Sequence, residues 1–459
     1  MDNSNIYQLI RSFSPVECRE VRRFLASPFF NRRSDLQALF DALCRETEPE
    51  KQQIWAALFP DVTYDDTQMR LLMSYLNRLL EMYLLVEQDR SKTLQHRLQL
   101  AVAYRNRGLM DQYGRHMRAL EKELERQPLR NAAYHDLLRD YTLEMHETTV
   151  TQNPTDTESL RLLAYRTDVQ YLSKRLRLFC LELAQKNVYQ AGAEDPLHRD
   201  VIALAERPEW RDLPGISTYL AAYRMLHQPE AHTRYQTFRD MLGAVESNFS
   251  NDEMREFYTF CINHCIRRAN SGHREMEREV LALYRSALEA GYLFENGLLS
   301  RFTYHNIVAA GLRCNELDWV ENFIHQYKST LERKYRDSSL SFNLARLNYA
   351  RGRYDTVLAL LQRANYHDPL FNLAAKTLLL KTYYVLDEFD LLASHLDAMR
   401  NYIRRKKVIG YHRTNYLNII RYAERVLHPG SRQAKEKLRR EIETEPVLTE
   451  KAWLLSCLE

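Results

Sequence analysis

The chain has 459 residues, a net charge of +4, 45% hydrophobic and 27% charged residues, a composition that can build packed cores and argues against extensive disorder. Its length exceeds one compact core, so several domains or one elongated array are expected. Its 12 glycines and 13 prolines, against about 32 and 23 at average usage, exclude a strand-and-turn architecture and leave helices with short connections.

Seven cysteines, an odd number without a C-x-x-C pair, do not form a disulfide framework and are expected as reduced, mostly buried thiols. No apolar stretch approaches the roughly 18 residues that span a bilayer. The start "MDNSNIYQLIR" has neither a basic leader nor an apolar signal core, so the expected location is the cytoplasm, with no membrane partner.

In chain order, "SPVE" at Ser14 to Glu17 predicts a helix start, with Ser14 as N-cap, Pro15 at the first helical position and Glu17 closing the capping box. "SPFFN" breaks that helix, and its two aromatics are expected to plug the core. After Asp65 or Asp66 as a cap, Met69, Leu72, Leu76, Leu79, Tyr83 and Val86 recur at steps of three and four, one amphipathic helix. Residues 1–90 are therefore read as an N-terminal helical domain and 91–195 as helical repeats. Pro196, Pro208, Pro214 and Pro229 mark a proline-punctuated connector over 196–250, and 251–459 is read as further repeats with a basic C-terminal region.

The clearest repeat is "SFNLARLNYARGRYDTVLALLQRANYHDP", where Gly352 lies two before Tyr354, small Ala345 and Ala364 take contact positions and Pro369 closes the unit. Close helix packing needs small side chains at the crossing, and glycine eases the turn. This unit resembles the tetratricopeptide (TPR) repeat, although Asn348 stands in place of an aromatic and Val357 in place of an alanine. About 35 residues later "LLLKTYYVLDEFDLLASHLDAM" repeats the layout with Phe389 in the place of Tyr354 but without the glycine. The order of segments, from "SPFFN" to "NYLNII", also resembles a group of uncharacterised bacterial helical-repeat proteins, which implies fold and no chemistry. The expected fold is thus all-α, a TPR-like alpha-solenoid of antiparallel helix pairs behind an N-terminal helical domain.

In TPR arrays the first helix of each pair lines the concave face, so the resemblance implies that Arg346 and Tyr349 face a groove. A shift of 35 residues reaches Lys381 and Tyr384, and a further 35 reaches Tyr416, with Arg413 one turn away. Cations beside tyrosines suit an acidic, partly apolar peptide, and these six are the candidate partner-binding residues. Arg346 stands where TPR domains that clamp carboxylate tails carry asparagine, a departure from that pattern.

Reactive signatures are absent from the sequence: no G-x-G-x-x-G, no G-x-x-x-x-G-K-[ST], no G-x-S-x-G and no H-E-x-x-H. The tightest metal-like group is "CINHC", with Cys261, His264 and Cys265, but its apolar flanks favour core packing. Asp195, His198 and Asp200 in "DPLHRD" read as a turn and a helix cap. Non-covalent binding, with no catalysis, metal or cofactor, is the expected mode of action.

Residues 400–440 hold 13 Lys or Arg against two acids, a local charge of +11, so the rest of the chain sums to −7. Cations ending a helix account for Arg404 to Lys407. Those further on either pair with Glu441, Glu443 and Glu445, meet an acidic protein, or neutralise the phosphates of a nucleic acid, the alternative partner.

Overall fold

The computed structural model describes residues 4–45, 50–90, 93–189, 197–363, 368–405, 410–428 and 430–459; Ala364, Asp195, Lys406 and Lys407 lie outside them. Among the described residues the chain forms 23 α-helices and one two-stranded hairpin, as its glycine-poor composition predicts. None of these helices is long and apolar enough to cross a membrane.

Two compact units divide the chain. The first, Met1–Pro128 with Ala133–Gln170, holds α1 (Asn5–Ser12), α2 (Pro15–Ala26), α3 (Ser34–Arg45), α4 (Lys51–Leu58), α5 (Asp66–Arg90), α6 (Thr93–Arg105), α7 (Met110–Arg126), α8 (Ala132–Gln152) and the start of α9 (Glu158–Tyr189). The capping box of α2 forms as expected, with Ser14 Oγ accepting from Glu17 N–H and the Glu17 carboxylate accepting from Ser14 N–H. Asp65, rather than Asp66, caps α5 by accepting from Thr67 and Gln68 N–H, while Asp66 pairs with Lys51.

One face of α5 buries Met69, Leu72, Leu76, Leu80 and Tyr83 against α1–α4. Only one aromatic of "SPFFN" plugs this core. Phe30 stacks on Phe24 at 4.3 Å, but Phe29 is 86% exposed. The turn is pinned by Asn31, whose amide donates to Leu25 O and Arg33 O, and neighbouring side chains in so tight a turn point apart. A separate cluster joins α6 and α7 through Leu98, Ala101, Met117, Leu120 and Leu124, with Leu137, Leu138 and Tyr141 of α8 packed against it.

The second unit, Leu129–Ala132 with Tyr171–Glu459, holds the rest of α9, then α10 (His198–Ala205), α11 (Pro214–His227), α12 (His232–Val245), α13 (Asn251–Asn270), α14 (Glu275–Glu289), the hairpin β1 (Phe294–Glu295) and β2 (Leu298–Leu299), α15 (Arg301–Arg313), α16 (Leu317–Tyr327), α17 (Arg336–Ala350), α18 (Tyr354–Arg363), α19 (Pro369–Val385), α20 (Phe389–Arg405), α21 (Gly410–Leu427), α22 (Arg432–Thr444) and α23 (Lys451–Ser456). The segment 129–132 belongs here because Asn131 donates to Glu253, a buried carboxylate that also accepts from Tyr219 and closes the capping box of α13 with Ser250.

Consecutive helices of this unit pack on one another, α13 on α14, α15 on both α14 and α16, α17 on both α16 and α18, and α19 on α20. α15 and α19 also both touch α17. The α13–α14, α15–α16, α17–α18 and α19–α20 turns share one hydrogen-bond pattern, in the first with Gly272 at φ +104° and His273 N–H bonded to Arg268 O. At Gly352, with φ +72°, Arg353 N–H reaches back to Asn348 O. Asn315 (φ +59°) and Asp387 (φ +56°) occupy the same left-handed position with equivalent bonds, Glu316 N–H to Gly311 O and Glu388 N–H to Tyr383 O. This is the Schellman ending, which glycine adopts freely and Asn or Asp at modest cost.

Candidate binding site in the second unit

A cavity of about 500 Å³ opens along α15, α17, α19 and α21, with the turn before α23 as its remaining wall. Three of the six candidate residues line it: Arg346 from α17, Lys381 from α19 and Tyr416 from α21, each 35 residues from the next. Phe342, Leu370, Phe371, Leu378 and Ile419 supply its apolar surface.

The other three lie elsewhere. Tyr349 is turned toward the C-terminal helix, with Lys381 Nζ 5.3 Å above its ring and Tyr354 against its edge. Tyr384 donates to Cys457 O at 3.2 Å and meets Trp453 edge-on. Arg413 is exposed on α21, off the cavity wall. On a helix, residues three apart are rotated by about 60°, which is why only one member of each cation–tyrosine pair faces the cavity.

The cations of the cavity differ in their compensation. Arg301 is 2.8 Å from Asp368, which caps α19 through Leu370 and Phe371 N–H. Burial pushes the Asp368 carboxyl up, but these bonds and Arg301 outweigh it and hold its pKa below the usual carboxylate range. Lys381 Nζ is 3.0 Å from Glu450 Oε2. Arg346 has no carboxylate at ion-pair distance among the described residues: its Nη1 donates to His305 O at 3.1 Å and to Asn343 Oδ1 at 3.4 Å.

Arg346 is half-buried, and desolvation of its guanidinium, then Arg313, lower its pKa to about 10 against the opposing charge of Glu450. It stays charged at neutral pH. His305, between Phe342 and Phe371, is driven down to about 4 by burial. As a neutral ring it accepts from Asn343 Nδ2 at Nδ1, 2.7 Å away. The charged groups of the wall are therefore Arg301, Arg346 and Lys381 against Asp368 and Glu450, a net charge of +1, and Arg346 is the cation without an ion pair among the described residues, although the charge of Glu450 also reaches it.

A second cavity of about 680 Å³ adjoins the first and shares Arg301, Phe302 and Asn306 with it. α13, α15 and the hairpin wall it in. The hairpin turns at Asn296–Gly297, both with positive φ, the geometry of a two-residue type I′ turn.

The alternative sites offer less. His264 stacks on Tyr235 at 4.8 Å, and Cys261, His264 and Cys265 are buried. His198 stacks on Phe179 at 3.9 Å while Asp200 is exposed. No cluster of three potential metal ligands occurs among the described residues.

Sequence reasoning passed over Arg301, His305, Asp368 and Glu450. Arg301 and His305 stand outside the 35-residue register, and Glu450 arrives from the chain end, so no local signal ties them to Arg346. The charge of α15 beside "NGLLSRF" was the available cue. Searches against family models, curated proteins and solved structures return no match for this chain.

Proposed function

We propose that the chain is a TPR-like helical-repeat scaffold that binds a protein partner without catalysing a reaction, holding an acidic, partly apolar peptide in the cavity of its second unit. The observation that carries this reading is Arg346, a charged guanidinium on a largely apolar wall with no carboxylate partner among the described residues. A half-buried charge on an apolar wall gains from an opposite charge, and a ligand carboxylate supplies one in the bidentate form that guanidinium favours. The paired helices and their recurring left-handed turns support the repeat architecture, and the first helices of successive pairs, α15, α17 and α19, share the wall as a TPR groove requires.

The test is binding of acidic, Phe- or Leu-containing synthetic peptides to the full chain, compared with Arg346→Gln. The reading requires the preference for acids to vanish in the variant while its melting temperature is kept; an unchanged preference sinks it.

A second reading, nucleic-acid binding through the basic C-terminal region, is favoured by Arg432, Lys435 and Lys437, which are exposed on α22 without an ion-pair partner among the described residues. It concerns another surface and is tested by oligonucleotide titration.

A further inference from the structure

The two adjoining cavities bear on the form of the ligand. Between them stands Phe302, 64% exposed. Phe302 lines both cavities, so its exposed ring offers an apolar contact to a ligand that enters either one. Phe302 is not loose: the Arg301 guanidinium lies 4.7 Å from its ring and 4.2 Å from Tyr335, and Asp368 anchors that guanidinium. The ridge is thus a fixed aromatic with a cavity on either side.

The cavities also differ in chemistry. The first combines apolar walls with one uncompensated cation. In the second, with Arg301 held by Asp368, the remaining charged groups are Arg255 against Glu295 and Glu332, and Thr259, Asn263, Asn296 and Thr303 add neutral hydrogen-bonding groups. Arg255 is further occupied by Asp252, and Glu332 by Lys334. A small free acid would fill only the first cavity and leave the ridge and the second unused.

From this we infer that the ligand is an extended peptide segment with a single carboxylate on Arg346, an apolar side chain against Phe342 and Phe371, and a polar continuation that crosses Phe302 into the second cavity. The inference rests on the peptide-binding reading above and adds its length, direction and charge. One carboxylate is specified because Arg301 and Lys381 already have Asp368 and Glu450. The polar continuation is specified because the second cavity offers no uncompensated cation and many uncharged donors and acceptors.

The experiment measures fluorescence anisotropy of labelled synthetic peptides with the full chain. The probes are a short peptide with one Glu next to Phe, the same peptide with Gln for Glu, versions lengthened on either side by Ser, Asn and Gln, and free 3-phenylpropanoate. The Glu peptide is expected to bind about tenfold more tightly than the Gln peptide. Lengthening on one side, but not the other, should add about another tenfold.

Phe302→Ser, an exposed substitution, should remove the gain from length and keep the preference for Glu. Arg346→Gln should remove the preference, and Arg346→Lys should restore part of it because charge returns without the planar fork. If 3-phenylpropanoate binds as well as the longest peptide, or Phe302→Ser changes nothing, the extended segment is refuted while the acidic reading stands. If Glu and Gln peptides bind alike, or no peptide binds, both fall together.

Discussion

Lys381 Nζ lies 3.0 Å from Glu450 Oε2, so a carboxylate of the chain itself already holds one of the cavity's three cations. The pair sets how many acids a ligand can bring. Glu450→Gln frees Lys381 and gives the wall a second uncompensated charge. Peptides with two acids should then gain about tenfold in affinity while single-acid peptides change little. The cost to stability should stay near 1 kcal/mol, the scale of a partly exposed pair. Equal gains for one and two acids would show that Lys381 is not reached by the ligand.

Gly311 supports the α15 wall from behind. A Cβ at this position would stand 2.4 Å from Val320 Cγ2 and 3.4 Å from the Trp319 ring, so α15 and α16 approach only because the side chain is missing. Gly311→Ala should destabilise by about 1–3 kcal/mol of overpacking, against about 1 kcal/mol regained from removing a mid-helix glycine. Gly243 in α12 has nothing within 4 Å of its Cβ position, and Gly243→Ala should stabilise by about 0.5–1 kcal/mol. Opposite signs in urea unfolding are the expected result; the same sign at both sites would contradict the close approach.

Much of the helical content was legible because its signals are local. Ser14, Pro15 and Glu17 specify a helix start within four residues, and the α5 stripe specifies a buried face by spacing alone. The left-handed turn at Gly352 was readable from glycine, but the equivalent turns at Asn315 and Asp387 were not, because Asn and Asp serve in many other roles. The hairpin at Asn296–Gly297 had a strong local signal that went unused among so many helices. Within the site, the 35-residue register brought Arg346, Lys381 and Tyr416 to one wall, whereas Glu450 and Arg301 reach it through tertiary packing, which no periodicity encodes.

Two histidines should make stability depend on pH. Burial, then Arg267 and Arg268, lower His264 to about 4; burial lowers His305 to about 4 against the opposing bond from Asn343. Both fold neutral, whereas in the unfolded chain they take up a proton below about pH 6.5. The unfolded state thus binds more protons between about pH 6.5 and pH 4, and stability falls as pH falls through that window, by up to about 3 kcal/mol per histidine. His264→Phe, which can keep the stack on Tyr235, should flatten the slope of urea-unfolding free energy against pH by one group. An unaltered slope would mean that His264 is not buried as a neutral ring.

The thiols should divide by burial. Cys180, Cys261 and Cys265 are buried, while Cys18, Cys44, Cys314 and Cys457 are partly exposed. Burial pushes Cys265 up to about 11 and Cys261 well above its usual range, so neither supplies thiolate at neutral pH. A disulfide-forming reagent should label the four partly exposed thiols first and reach the other three only on unfolding. Added zinc should leave the melting temperature unchanged. One tightly bound zinc per chain would instead show that Cys261, His264 and Cys265 form a metal site.

The basic region carries less free charge than its composition implies. Arg421 pairs with Glu445 at 2.8 Å, Arg425 with Glu441 and Arg400 with Glu424, so acids placed after the basic run or inside it neutralise three of the six described arginines that α20 and α21 contribute from residue 400 on. On α22, Arg432, Lys435, Lys437 and Arg439 have no such partner among the described residues. Four cations release few counterions, so if α22 alone meets duplex DNA a plot of log affinity against log salt should have a slope of about −4 or shallower. Lys435→Glu with Lys437→Glu should flatten it further, and Arg346→Gln should leave it unchanged, because the cavity and α22 present different surfaces. A steeper slope, with binding that survives physiological salt, would require cations beyond these four and make nucleic acid the principal partner. No binding even at low salt would retire that partner and leave α22 as a solvated face.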